Sequence, residues 1–115
     1  MLRRLFSPKA EVFELDPKFF PESTQNIFPL EMILRLGVLP LGYKGKKLNV
    51  GFLDPESKSD LAAVKKHLSD APFQRYEIRV EQLLKLLESR FQVSESELRQ
   101  TEKGEVHPKI QKHLV

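Results

Sequence analysis

Between Phe28 and Phe91 the apolar positions switch from helical spacing to alternation and back, with breaks at Gly37, Asp54-Pro55 and Asp70-Ala71-Pro72. Leu30, Ile33 and Leu34 fall on one helical face, Pro29 suits a first helical turn, and Gly37 stands where a left-handed cap costs least. These positions predict a helix of about two turns ending at Leu36. The period then becomes two. Leu39, Leu41 and Tyr43 share one face of a strand, and Leu48, Val50 and Phe52 share one face of the next. Tyr43-Lys44-Gly45-Lys46 joins them as a hairpin turn, with Gly45 placed to take positive φ.

After Asp54-Pro55, Ser57 and Ser59 both suit a helix N-cap, and Asp60 in the first turn complements the helix dipole. Leu61, Val64 and Leu68 make the apolar face of that helix, while Lys65 and Lys66 point elsewhere. Asp70-Ala71-Pro72 ends it. Tyr76, Ile78 and Val80 then alternate with Glu77 and Arg79 as a strand with one wet face, and Leu83, Leu84, Leu87 and Phe91 mark a closing helix. Upstream, Glu11 to Leu15 reads as a short edge strand stopped by Asp16-Pro17, followed by a connector pinned by Phe19, Phe20, Pro21 and Ile27.

Beyond Gln92 the apolar density falls, although Ser94 and Glu97 fit a capping box and Val106, Ile110 and Leu114 are spaced by four. This tail reads as a partner-docking helix or as a loosely packed end. The expected fold is α/β of the α+β kind: a small two-layer sandwich, with a mixed sheet of about four strands, about three helices and flexible termini. The expected divisions are an N-terminal extension over 1–10, a folded domain over 11–91 and a partly helical or disordered tail over 92–115.

The order Pro29, Gly37-Val38-Leu39-Pro40-Leu41, Gly45, Leu48-Asn49-Val50 and Asp54-Pro55 resembles the N-terminal domain of the bacterial type II secretion and type IV pilus assembly ATPases, the MshEN-type domain. The resemblance covers roughly Val12 to Phe91 and rests on pattern alone beyond Leu61. It implies a module without the ATPase core, which in that family lies in separate downstream domains. It also implies a role in tethering a motor to a membrane-associated partner. Some members bind cyclic di-GMP through a motif opening with Arg-Leu-Gly, and Arg35-Leu36-Gly37 matches that opening. Pro40 and Lys44 depart from the rest of the motif, and no second copy follows.

Composition removes several chemistries. The 115 residues contain no cysteine, so disulfides, thiolate metal sites and cysteine nucleophiles are excluded. No G-x-x-x-x-G-K-[ST] loop is present to hold nucleotide phosphates. No apolar run approaches the ~20 residues of a membrane span, and Met1-Leu2-Arg3-Arg4-Leu5-Phe6 lacks the apolar region of a secretory signal, so a cytoplasmic location is expected. His67, His107 and His113 have no second ligand at i+3 or i+4 that would share the same helix face, and they read as solvated surface groups. Glu77, Glu81, Glu88, Glu95 and Glu97 likewise fall on polar faces rather than in a cleft.

The net charge of +3 is small, but Lys44, Lys46 and Lys47 cluster at the hairpin, beside Tyr43. The expectation is therefore a non-enzymatic adaptor that docks a protein of a secretion, pilus or motility machine, with no cofactor and no metal, recruited by its partner to the inner face of a membrane. Its candidate contacts are Tyr43, Lys44 and Lys46. A cyclic di-GMP sensor using Arg35, Leu36 and Gly37 is the alternative. A nucleic-acid-binding domain using the basic hairpin is a further one.

Overall fold

The computed structural model describes residues 10–16, 20–102 and 104–114. Of the expected N-terminal extension all but Ala10 lies outside them, as do Pro17 of the Asp16-Pro17 stop and Phe19 of the connector. A single 3-10 turn over Glu22–Thr24 leads to α1 (Leu30–Leu36), β1 (Val38–Lys44), β2 (Lys47–Phe52), α2 (Lys58–His67), β3 (Phe73–Glu77), α3 (Val80–Phe91), α4 (Glu95–Arg99) and α5 (Pro108–Leu114). The α+β class is observed, with a three-stranded mixed sheet in the order β1-β2-β3 rather than about four strands.

The helix α1 ends where the apolar pattern places its end. Gly37 has φ of 66°, its N–H donates to the Ile33 carbonyl at 2.9 Å, and its own carbonyl accepts from Leu53 N–H at 2.9 Å. That second bond carries the helix cap across to the end of β2. Leu48, Val50 and Phe52 are all buried, as their alternation requires. Tyr43 does not follow Leu39 and Leu41. Pro40 pairs with Val50 and Gly42 with Asn49, so Leu41 is the extra residue of a β-bulge. The bulge moves Tyr43 opposite Leu48 and onto the side of Val38 and Pro40. The turn also sits one residue later than expected, since Lys44 pairs with Lys47 and Gly45-Lys46 forms the loop. Gly45 takes the expected positive φ of 65°.

The expected edge strand over Glu11 to Leu15 is a single bridge from Val12 to Glu77, flanked by Phe13 N–H to Glu77 O and Glu77 N–H to Glu11 O, both 2.8 Å. The Leu15 amide then donates to the Gln82 side chain on α3, at 3.2 Å, and the pairing stops there. β3 begins earlier than the Tyr76-Ile78-Val80 pattern suggests. It runs parallel to β2, with Leu48 opposite Phe73 and Phe52 opposite Glu77, while Val80 already opens α3. Of the two candidate caps, Ser57 is used: its hydroxyl accepts from the Asp60 amide at 3.3 Å.

The segment from Gln92 onward holds α4 and α5. The Ser94–Glu97 capping box is formed, and Leu98, Val106, Ile110 and Leu114 are buried in the same cluster as the sheet. His107 N–H donates to the Leu34 carbonyl at 2.7 Å, and the Lys109 ammonium donates to the Leu53 carbonyl at 2.6 Å. Two orphan backbone acceptors near the α1–β1 junction are therefore satisfied from α5 and its entry.

A side chain at position 37 would meet Leu53 Cδ1 at 2.8 Å and His107 Cδ2 at 3.1 Å, whereas one at position 45 would meet nothing within 4 Å. Both glycines hold positive φ, so the backbone cost of a side chain is shared and only the packing cost differs. Gly37→Ala is expected to lower stability by roughly 2–4 kcal/mol and Gly45→Ala by about 1 kcal/mol, read from urea unfolding. Equal losses would mean that Leu53 and His107 relax freely around position 37.

Candidate functional site

The short helix α1 stands as a ridge between two grooves. Its inward residues Met32 and Ile33 are buried, while Glu31 and Arg35, four apart on the outer face, are exposed and border both grooves. Toward α2 the groove has a volume of about 560 Å³, a floor of Met32, Leu36 and Ala63, and a rim carrying Arg35 and Lys66. Toward the α4–α5 connection it has about 500 Å³ and is bordered by Leu30, Leu34, Thr101 and Glu105. The two sides differ in charge. The α2 side sets the cations Arg35 and Lys66 against Glu31, and the other side sets Glu31 and Glu105 against Arg35.

Neither the Arg35 nor the Lys66 side chain makes a hydrogen bond or ion pair among the described residues. Glu31 is at the i−4 position that commonly pairs with an arginine, yet that ion pair is not formed. The Arg35 guanidinium thus keeps all its donors for solvent or a ligand. At the end of α2, the His67 ring nitrogen Nε2 lies 2.8 Å from the Ile27 carbonyl, which can only accept, so Nε2 carries the proton. The same ring meets Phe28 edge to face at 5.4 Å. His67 therefore fastens the entry of α1 to the end of α2 and closes one end of the groove.

The residues singled out in the sequence separate into two places. Arg35 and Leu36 border the α2-side groove, with Gly37 buried beneath as the helix cap. Tyr43, Lys44 and Lys46 lie at the exposed hairpin tip and border neither groove. Met32, Ala63 and Lys66 were not among the candidates. Met32 and Leu36 at i and i+4 carried a detectable signal, but Ala63 enters only through the packing of α2 against α1.

His107 corrects the reading of the histidines as solvated. It is 7% exposed, and its Nδ1 accepts the Lys109 amide at 3.0 Å. Burial holds its pKa below the ordinary 6.5, with Lys109 acting in the same direction and the charges of Asp60 and Asp54 opposing. Asp60, also buried, is shifted upward, chiefly by burial, against a Ser57 hydrogen bond and the His107 charge that lower it. Among the described residues no group of three or more His, Asp or Glu side chains is arranged to hold a metal ion, and no helix is long and apolar enough to cross a membrane.

Compared with known proteins, the chain matches no family model, no curated protein and no solved structure.

A histidine with a depressed folded pKa binds its proton more readily when unfolded. Its contribution to stability is complete above 6.5 and is lost as the pH falls from there through the folded value. The raised Asp60 acts oppositely and gains only as the pH enters the carboxylate range. The urea midpoint is expected to fall between about pH 7.5 and pH 5.5, and His107→Gln should flatten that slope even where it lowers the midpoint itself. Parallel pH profiles for the two proteins would rule His107 out as the titrating group.

Proposed function

We propose that this chain is a non-enzymatic docking module, resembling the N-terminal domain of the secretion and pilus assembly ATPases, that binds a protein of a secretion, pilus or motility machine on the cytoplasmic side of a membrane. The observation that carries the reading is the α1–α2 groove, whose apolar floor is bordered by two cations without ion-pair partners among the described residues. Apolar side chains of a partner would gain affinity from Met32, Leu36 and Ala63. Arg35 and Lys66 would set orientation and association rate, in the manner of charges at an interface rim. The cations at the rim favour an acidic partner segment, and a groove between two helices suits a helical one presenting residues at i, i+3 and i+4.

The second reading, a cyclic di-GMP sensor, is favoured by Arg35 itself. Its planar guanidinium is exposed, unpaired among the described residues and shared by both grooves, which suits it to a phosphate or a guanine face. Against that reading, Leu36 and Gly37 are already employed by the fold as a half-buried groove residue and a buried helix cap.

A photo-crosslinking amino acid at position 31, in the living source cell, is expected to trap an acidic segment of a motor or scaffold component. The combined Arg35→Glu and Lys66→Glu change should lower that yield about tenfold. Capture that is indifferent to the charge reversal would defeat the groove reading. Saturable binding of cyclic di-GMP, abolished by Arg35→Ala, would instead establish the sensor.

A further inference from the structure

The β1–β2 hairpin tip shares no residue with either groove and poses its own problem. Tyr43 through Lys47 are all exposed, and nothing lies within 4 Å of a side chain built at Gly45, so the tip projects freely from the sheet. Lys44 and Lys47 are direct cross-strand partners, with Lys46 in the loop between them. Like charges set directly opposite destabilise a hairpin, and none of the three lysines has a carboxylate partner among the described residues. Tyr43 adds an aromatic to this cluster, 59% exposed at the end of the strand opposite Leu48.

We infer that this tip is a contact site for an anionic lipid surface, with Lys44, Lys46 and Lys47 meeting the headgroups and Tyr43 seated at the interface. The shape favours a bilayer over a nucleic acid. A convex two-residue loop can rest on a flat surface, whereas single-stranded nucleic acid calls for a groove with successive aromatics, and Tyr43 is the exposed aromatic among the described residues. Each lysine held near an anionic bilayer raises partitioning about fivefold, so three together give on the order of a hundredfold. That is a weak, reversible contact. It would orient the module on a membrane while leaving the α1–α2 groove open to a protein.

The test is co-sedimentation of the whole chain with phosphatidylcholine vesicles, with and without phosphatidylglycerol. The expected result is binding only to the anionic vesicles, lost at high salt and reduced about thirtyfold or more by Lys44→Glu with Lys46→Glu. Tyr43→Ala should cause a smaller loss that persists at high phosphatidylglycerol content. Lys58→Glu with Lys112→Glu, the same charge change on exposed lysines elsewhere, should retain most of the binding. Equal loss in both double variants would reduce the effect to net charge and overturn the site. No binding to anionic vesicles would overturn it as well, as would single-stranded DNA binding that Lys44→Glu with Lys46→Glu abolishes while vesicles go unbound.

Discussion

The left-handed turn at Gly37 is the constraint on which the rest of the structure depends. Within one residue the chain leaves α1 and enters β1. The turn's N–H closes the helix on Ile33, and its carbonyl receives Leu53 from the far end of β2. The space that a side chain would occupy is filled by Leu53 and His107, which come from segments 16 and 70 residues further along. His107 in turn donates its backbone N–H to Leu34, so the end of α1, the edge of the sheet and the entry to α5 are all referred to one point. A glycine is required there twice over, once for φ and once for space.

That junction also explains how much of the molecule was legible in its sequence. The helix end at Leu36, the hairpin, the Ser57 cap and the Ser94–Glu97 box each depend on local rules of spacing and capping, and each is present. What the sequence withheld is long-range. A bulge leaves no trace in an alternating pattern, because Leu41 looks the same whether or not it is paired, and so Tyr43 was placed with Leu39. The strand at Glu11 fails for want of partners beyond Glu77 and because Gln82 takes the Leu15 amide. The spacing by four of Val106, Ile110 and Leu114 reads as a docking helix or a loose end, whereas Ile110 and Leu114 on α5 and Val106 just before it are buried in the core, against neighbours visible only in three dimensions.

The candidate site was legible in the same uneven way. Arg35, Leu36 and Gly37 stand out in the sequence through their match to the opening of the resembled family's Arg-Leu-Gly motif, and in the fold Arg35 and Leu36 border a groove while Gly37 is the buried helix cap. The other wall comes from α2, whose Ala63 and Lys66 look ordinary in sequence. His107 was misread because burial of a histidine needs no ligand-like spacing. It needs a neutral ring whose acceptor nitrogen is satisfied, and the Lys109 N–H supplies that bond to Nδ1 while burial disfavours the charged form.

The distribution of charge gives the small net value its meaning. A chain of +3 can spread its excess evenly or divide it into domains of opposite sign, and only the second arrangement confers orientation. Here Lys44, Lys46 and Lys47 are gathered at a projecting tip, and Arg35 and Lys66 at a groove rim. Glu81, Glu88 and Glu95, with Lys85 and His113 among them, border a separate hollow between α3, α4 and α5. The cations at the tip and at the rim lack partners among the described residues. Arginines whose role is to hold the fold are engaged instead: Arg90 binds the Phe20 carbonyl and lies near Glu22, and Arg79 reaches Glu14. Glu31 stands one turn from Arg35 without pairing, so among the described residues the charge at the rim is not neutralised within α1.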